Sequence, residues 1–86
     1  MRLDKFLKVS RIIKRRSVAN EICDAKKVSV SESGGEFRIV RASYEVKTDD
    51  IIGINFGGNI NKYKILKIKE TVKKEEAASL FEQIVE

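Results

Sequence analysis

The chain predicts an α+β fold in which two N-terminal helices pack on a small, mainly antiparallel sheet of about four strands, with a C-terminal helix after it. Three observations predict it. Apolar residues recur at helical spacing through the first quarter of the chain, alternate from Val28 to Lys69 with two glycine pairs between the runs, and return to helical spacing from Thr71. At 86 residues, with no proline, no internal repeat and no low-complexity stretch, one domain spanning 1–86 is expected, with its C-terminal helical extension from about Thr71.

The first helix runs from Leu3 to Val9, because Leu3, Phe6 and Leu7 fall on one side while Arg2, Lys5 and Lys8 lie between them. Ser10 and Arg11 interrupt it. A second helix starts near Lys14 or Arg15 and runs to Ala25, with Val18, Ala19, Ile22 and Cys23 as its apolar stripe. On that reading Arg16 and Asn20, four residues apart, share the opposite, solvent-facing side. Val28 and Val30 then alternate with serines, and Phe37 and Ile39 flank Arg38, which predicts a hairpin. If Gly34 and Gly35 are its two-residue loop, Val30 faces Ile39. Lys47 to Asp50 is a polar turn into a third strand, Ile51 to Phe56, and Gly57-Gly58-Asn59 turns the chain into a fourth, from Ile60 to Lys69. The apolar phase changes inside that strand, so a bulge near Ile65-Leu66 is expected. Thr71 is the expected N-cap of the last helix, Glu75 and Glu76 suit its dipole, and Ala77, Leu80, Phe81, Ile84 and Val85 form its packing stripe.

Charge is distributed unevenly. The first 30 residues hold nine of the 18 basic groups against three acidic ones, whereas the other 56 hold nine basic and ten acidic. Seven cations, Arg2, Lys5, Lys8, Arg11, Lys14, Arg15 and Arg16, crowd onto the two short helices. Like charges so close repel one another, and a polyanion that neutralises them releases condensed counterions. Phosphate suits the pattern because arginine forks grip its oxygens bidentately while lysines act as point charges around them. Few aromatics lie nearby and Phe6 belongs to the apolar stripe, so structured RNA read by shape and backbone fits better than stacked single strands. Lys73 and Lys74 are a second cationic pair that could add contacts; a solvated first turn accounts for them equally well.

Composition excludes much of enzymology. Without histidine, and with Cys23 alone and set in an apolar stripe, Ser-His, Cys-His and histidine-containing metal sites are ruled out. Asp49-Asp50 and Glu75-Glu76 are sequence neighbours whose side chains diverge, so neither forms a convergent carboxylate pair. The glycine pairs lack phosphate-loop spacing and sit between strands. No catalytic residue, metal or cofactor is expected, and with no apolar run near the length of a bilayer span and no secretory leader pattern, cytoplasmic residence without a membrane is the expectation. Asp4 is expected to serve structure, at the first helix's N-terminus or against a nearby arginine.

The pattern Arg2-Leu3-Asp4-x-x-Leu7, with Arg16-x-x-Ala19, Val28-x-Val30, Ala42-Ser43 and Val46-x-x-x-Asp50-x-Ile52, resembles the S-four-like RNA-binding domain. Arg2 through Arg11, Ile13 through Arg16 and Lys73 through Ala78 are similar to the short stand-alone members of the quality-control protein P group. The resemblance implies an α-L fold whose helical face binds ribosomal RNA. It further implies docking on stalled large ribosomal subunits that still hold peptidyl-tRNA, contact with rRNA and tRNA, and support of alanine tailing by an NFACT-type partner. Arg2 and Arg16 are carried over first, then Lys5, Lys8, Arg11, Lys14 and Arg15; Asn20 joins them on the same side of the second helix, and a monomer is expected when free. Three alternatives stay open: a heat-shock-type rescue factor without tailing, an RNA-binding module associated with an RNA-modifying enzyme, and a module that binds an acidic protein. The chain departs from the family pattern at Lys26 and Asp49, which stand where glycines are usual, and in a longer hairpin around Ser33 to Arg38. A positive φ at either position would cost about 0.5–1 kcal/mol.

Overall fold

The computed structural model describes residues 1–85. Helices α1 (Leu3–Val9) and α2 (Arg16–Asp24) precede strands β1 (Val28–Ser31), β2 (Arg38–Ile39), β3 (Ile51–Phe56) and β4 (Asn59–Ile65). A seven-residue 3-10 helix, Lys74–Leu80, then leads directly into strand β5 (Phe81–Ile84). The strands form one antiparallel sheet in the order β2-β1-β3-β4-β5. Leu3, Phe6 and Leu7 of α1 and Ala19 and Cys23 of α2 pack with Val28, Val30, Ile52, Ile54, Ile65 and Leu80 into a single core. Among the described residues no helix is long and apolar enough to cross a membrane.

Both helices end through their backbones. Ser10 caps α1 and is followed by Arg11 at φ 63°, which reverses the chain where the sequence indicated a break. After α2 the Lys26 N–H donates to the Cys23 carbonyl and the Lys27 N–H to the Ile22 carbonyl. These two bonds make a Schellman cap, and its left-handed residue is Lys26, at φ 61°. Asp49, the other residue in a usual glycine position, stands at φ 74°. The N-terminus of α1 has no side-chain cap. Its first free N–H groups instead reach the segment before β3: Leu3 donates to the Tyr44 carbonyl at 2.8 Å and Asp4 to the Ala42 carbonyl at 3.1 Å. That segment is held in turn by Asp50, whose buried carboxylate accepts from the Tyr44 hydroxyl and the Lys47 N–H.

The hairpin register differs from the expected one. The Gly35 N–H donates to the Glu32 carbonyl, and the central residues Ser33 and Gly34 both have positive φ, as a type I′ turn requires. The turn thus sits one residue earlier than Gly34-Gly35. Arg38 faces Val30, and Ile39 faces Ser29 on the outer side of the sheet, where it is 59% exposed. The longer hairpin also lays Phe37 over the outer face: a Cβ at Gly53 would lie 3.4 Å from the Phe37 ring, and the Lys62 ammonium sits 5.3 Å from the ring centre.

The C-terminal helix is shorter than its apolar spacing suggested, and Thr71 does not cap it. The 3-10 helix starts at Lys74, with Ala77 and Leu80 buried as expected, but Phe81 and Ile84 continue as β5 against β4. An i, i+3, i+4 spacing over so few residues fits either element, and the open edge of β4 offers backbone partners that a helix would leave unused. Phe81 meets Tyr63 edge-on at 5.5 Å, while Val85 is exposed. Glu86, the end of the expected helix, lies outside the described residues. The bulge falls one position beyond expectation, with the Leu66 and Lys67 N–H groups sharing the Leu80 carbonyl.

Candidate nucleic-acid interface

Asp4 organises the basic face. Its side chain is 3% exposed, in the first turn of α1, and accepts from Arg2 Nε and Nη2 at 3.2 and 3.3 Å, Arg16 Nη2 at 3.3 Å and Asn20 Nδ2 at 3.4 Å. Burial pushes the Asp4 carboxyl up, but the hydrogen bonds from Arg16, Arg2 and Asn20 outweigh it and hold the group below its usual value. Arg16 and Asn20 therefore do not occupy the solvent-facing side of α2. They line the side that meets α1, next to buried Ala19 and Cys23, because a carboxylate taken out of water needs donors around it. Arg2 and Arg16 still show 47% of their side chains to solvent. A guanidinium has five N–H donors; Arg2 spends two and Arg16 one on Asp4, which leaves both with a free edge for an external oxygen.

The remaining cations divide into two groups. Lys8, Arg11 and Lys14 surround a cleft of about 340 Å³ whose far wall is Glu70, Thr71 and Val72. Arg11 reaches it from the left-handed residue after α1, and Arg15 stands exposed at the entry to α2. Among the described residues, Lys8, Arg11, Lys14 and Arg15 have no side-chain hydrogen-bond or ion-pair partner. Lys5 does have one: it pairs with the exposed Glu70 carboxylate, and the Lys5 hydrogen bond holds that group below its usual value. Lys73 and Lys74 lie just past this wall, at the cap and first position of the 3-10 helix, and both are exposed.

Sequence reasoning missed a second cleft, of about 550 Å³, between the C-terminal end of α2 and residues 39–43. Arg2 and Asn20 open onto it, together with Lys26, Arg41 and Ser43. Nothing local in the sequence marks Arg41, which reaches this place only because residues 42–44 cap α1. Cys23 also borders the cleft, and burial, with Asp4 and Asp24 nearby, pushes its thiol up to about 11, so it stays protonated and unreactive. Among the described residues no group of three or more histidine, cysteine, aspartate or glutamate side chains is placed to hold a metal ion.

No family model matches the chain. It is 45% identical over 82 residues to the RQC P-site tRNA stabilizing factor of Halalkalibacterium halodurans, covering 95% of this chain and 88% of that one. To the RQC P-site tRNA stabilizing factor of Streptococcus pneumoniae it is 43% identical over 86 residues, covering 100% and 92%. The trimeric structure of Vibrio cholerae Heat Shock Protein 15 matches with a TM-score of 0.77 at 27% identity, over 98% of this chain and 81% of that one.

Proposed function

We propose, from the premise that this chain belongs to the family of RQC P-site tRNA stabilizing factors, that it is a non-catalytic RNA-binding factor of ribosome-associated quality control. Its α1–α2 face docks on the RNA of a stalled large ribosomal subunit and on the tRNA held there. The observation that carries this reading is the Asp4 cluster, in which one buried carboxylate fixes two half-exposed guanidinium groups, one from the residue that precedes α1 and one from the first residue of α2. Donors held in advance lose less conformational entropy when they bind a phosphate oxygen than two free arginines would. Around them Lys8, Arg11, Lys14 and Arg15 supply charge that no side chain among the described residues neutralises. Lys5 adds to that charge when RNA displaces Glu70, and Lys73 and Lys74 lie where a longer RNA track would pass. The chain acts as a monomer and supports alanine tailing by an NFACT-type partner.

The test is binding to purified large subunits that carry peptidyl-tRNA. The Lys14 and Arg15 side chains have no partner among the described residues, so the double variant Lys14→Ala/Arg15→Ala should fold normally. By counterion release, each lost phosphate contact lowers affinity about five-fold at 0.15 M salt, so a drop of about 25-fold is expected. Unchanged binding by this variant and by a folded Arg2→Ala variant would remove the helical face from the interface. Kinship of fold with a heat-shock protein keeps a rescue factor without tailing as the second reading. Loss of alanine tails on stalled chains after deletion of the gene separates the two.

A further inference from the structure

We infer that the cleft between the C-terminal end of α2 and residues 39–43 is a nucleotide subsite, in which a backbone phosphate of the bound RNA meets Arg2, Lys26 and Arg41. Its nucleoside lies against the apolar side formed by Ile39 and Val40. The inference rests on the docking reading above and extends the interface to residues outside the basic helical face. Two independent observations carry it. The first is the cleft itself: at about 550 Å³ it is of a size that holds small ligands, three cations line it against the single carboxylate of Asp24, and Asn20 and Ser43 add uncharged polar groups. Such a lining suits a group that is anionic at one end and flat and partly apolar at the other.

The second observation is strain. Lys26 holds the left-handed residue of the α2 cap at φ 61°, a position that favours glycine, and its ammonium has no intramolecular partner among the described residues. An exposed cation near a helix C-terminus gains a little from the dipole, but the benefit is no larger than the backbone penalty. The fold therefore gains nothing from a lysine there, and strain without structural return is a mark of functional positions. Arg41 is likewise exposed and unpaired on the opposite wall.

Lys26→Gly gives the sharpest test, because it deletes the charge while relieving the strain. The variant should be more stable than the parent toward urea yet bind large subunits about five-fold more weakly at 0.15 M salt, with the slope of log K against log salt shallower by about 0.7–0.9. Arg41→Ala should show the same two binding changes. Normal binding by both, measured beside Lys14→Ala/Arg15→Ala, overturns the subsite; loss of binding by the latter alone shows that the helical face survives without it. Titration of the isotope-labelled protein with adenosine 5′-monophosphate should shift the Ala42 and Ser43 amides further than inorganic phosphate does at equal ionic strength. Equal shifts would remove the nucleoside from the cleft.

Discussion

At the scale of single residues, the chemistry turns on Asp4. A carboxylate on a side chain 3% exposed survives burial because Arg2, Arg16 and Asn20 donate to it and the Lys5 N–H closes on it at 2.8 Å. Its folded pKa is lowered, so it contributes stability above its unfolded value near 4, and that contribution is lost as the pH falls through the folded value. The urea midpoint should therefore decline below about pH 4, and Asp4→Asn should remove part of the decline. The same substitution should cost about 1–3 kcal/mol at neutral pH, read from the urea midpoint, because an amide serves two guanidinium groups poorly. Asp4 itself was legible as a structural acid, since it falls in the first turn of an amphipathic helix with arginines nearby. The facing of Arg16 and Asn20 was not: helical periodicity sees an apolar stripe and assigns polar residues to water, and only a buried acceptor on another helix reverses that.

Among the elements, the two ends of the chain show where local pattern decides and where a partner does. Helices α1 and α2 follow from their own spacing, and the left-handed positions at Lys26 and Asp49 follow from two departures from the family pattern. Lys26→Gly should raise stability by about 0.5–1 kcal/mol, measured by urea unfolding, since the Schellman bonds stay and the Cβ penalty goes. Strand β5 could not be read in this way, because its residues satisfy helical spacing and only the free edge of β4 decides against a helix. Phe81 should then be an anchor of the sheet. Phe81→Ala loses the edge-on contact with Tyr63 and a half-buried ring, and should cost about 1–3 kcal/mol in the same assay.

For the whole molecule, the six net positive charges of the first 30 residues become a surface through long-range contacts. The carbonyls of Ala42 and Tyr44 cap α1, Asp50 holds the capping segment, and this closure places Arg41 beside Arg2; sequence patterning cannot see such a juxtaposition. Four cations that have no partner among the described residues, plus the free edges of Arg2 and Arg16, predict a slope of log K against log salt of roughly −4 to −5 for binding to large subunits. Glu70 works against that surface. Its carboxylate holds Lys5 and forms part of the wall facing Lys8, Arg11 and Lys14, so RNA must displace it or tolerate a like charge. Glu70→Gln leaves the core untouched, because the pair is exposed, and an exposed pair contributes little to stability. It should instead tighten subunit binding about five-fold at 0.15 M salt and steepen the salt slope by about 0.7–0.9, as expected when one more cation meets phosphate. Equal affinity for the variant and the parent would mean that Lys5 and the Glu70 wall lie outside the footprint, and the docking surface would then centre on the α1–α2 junction and the cleft beside residues 39–43.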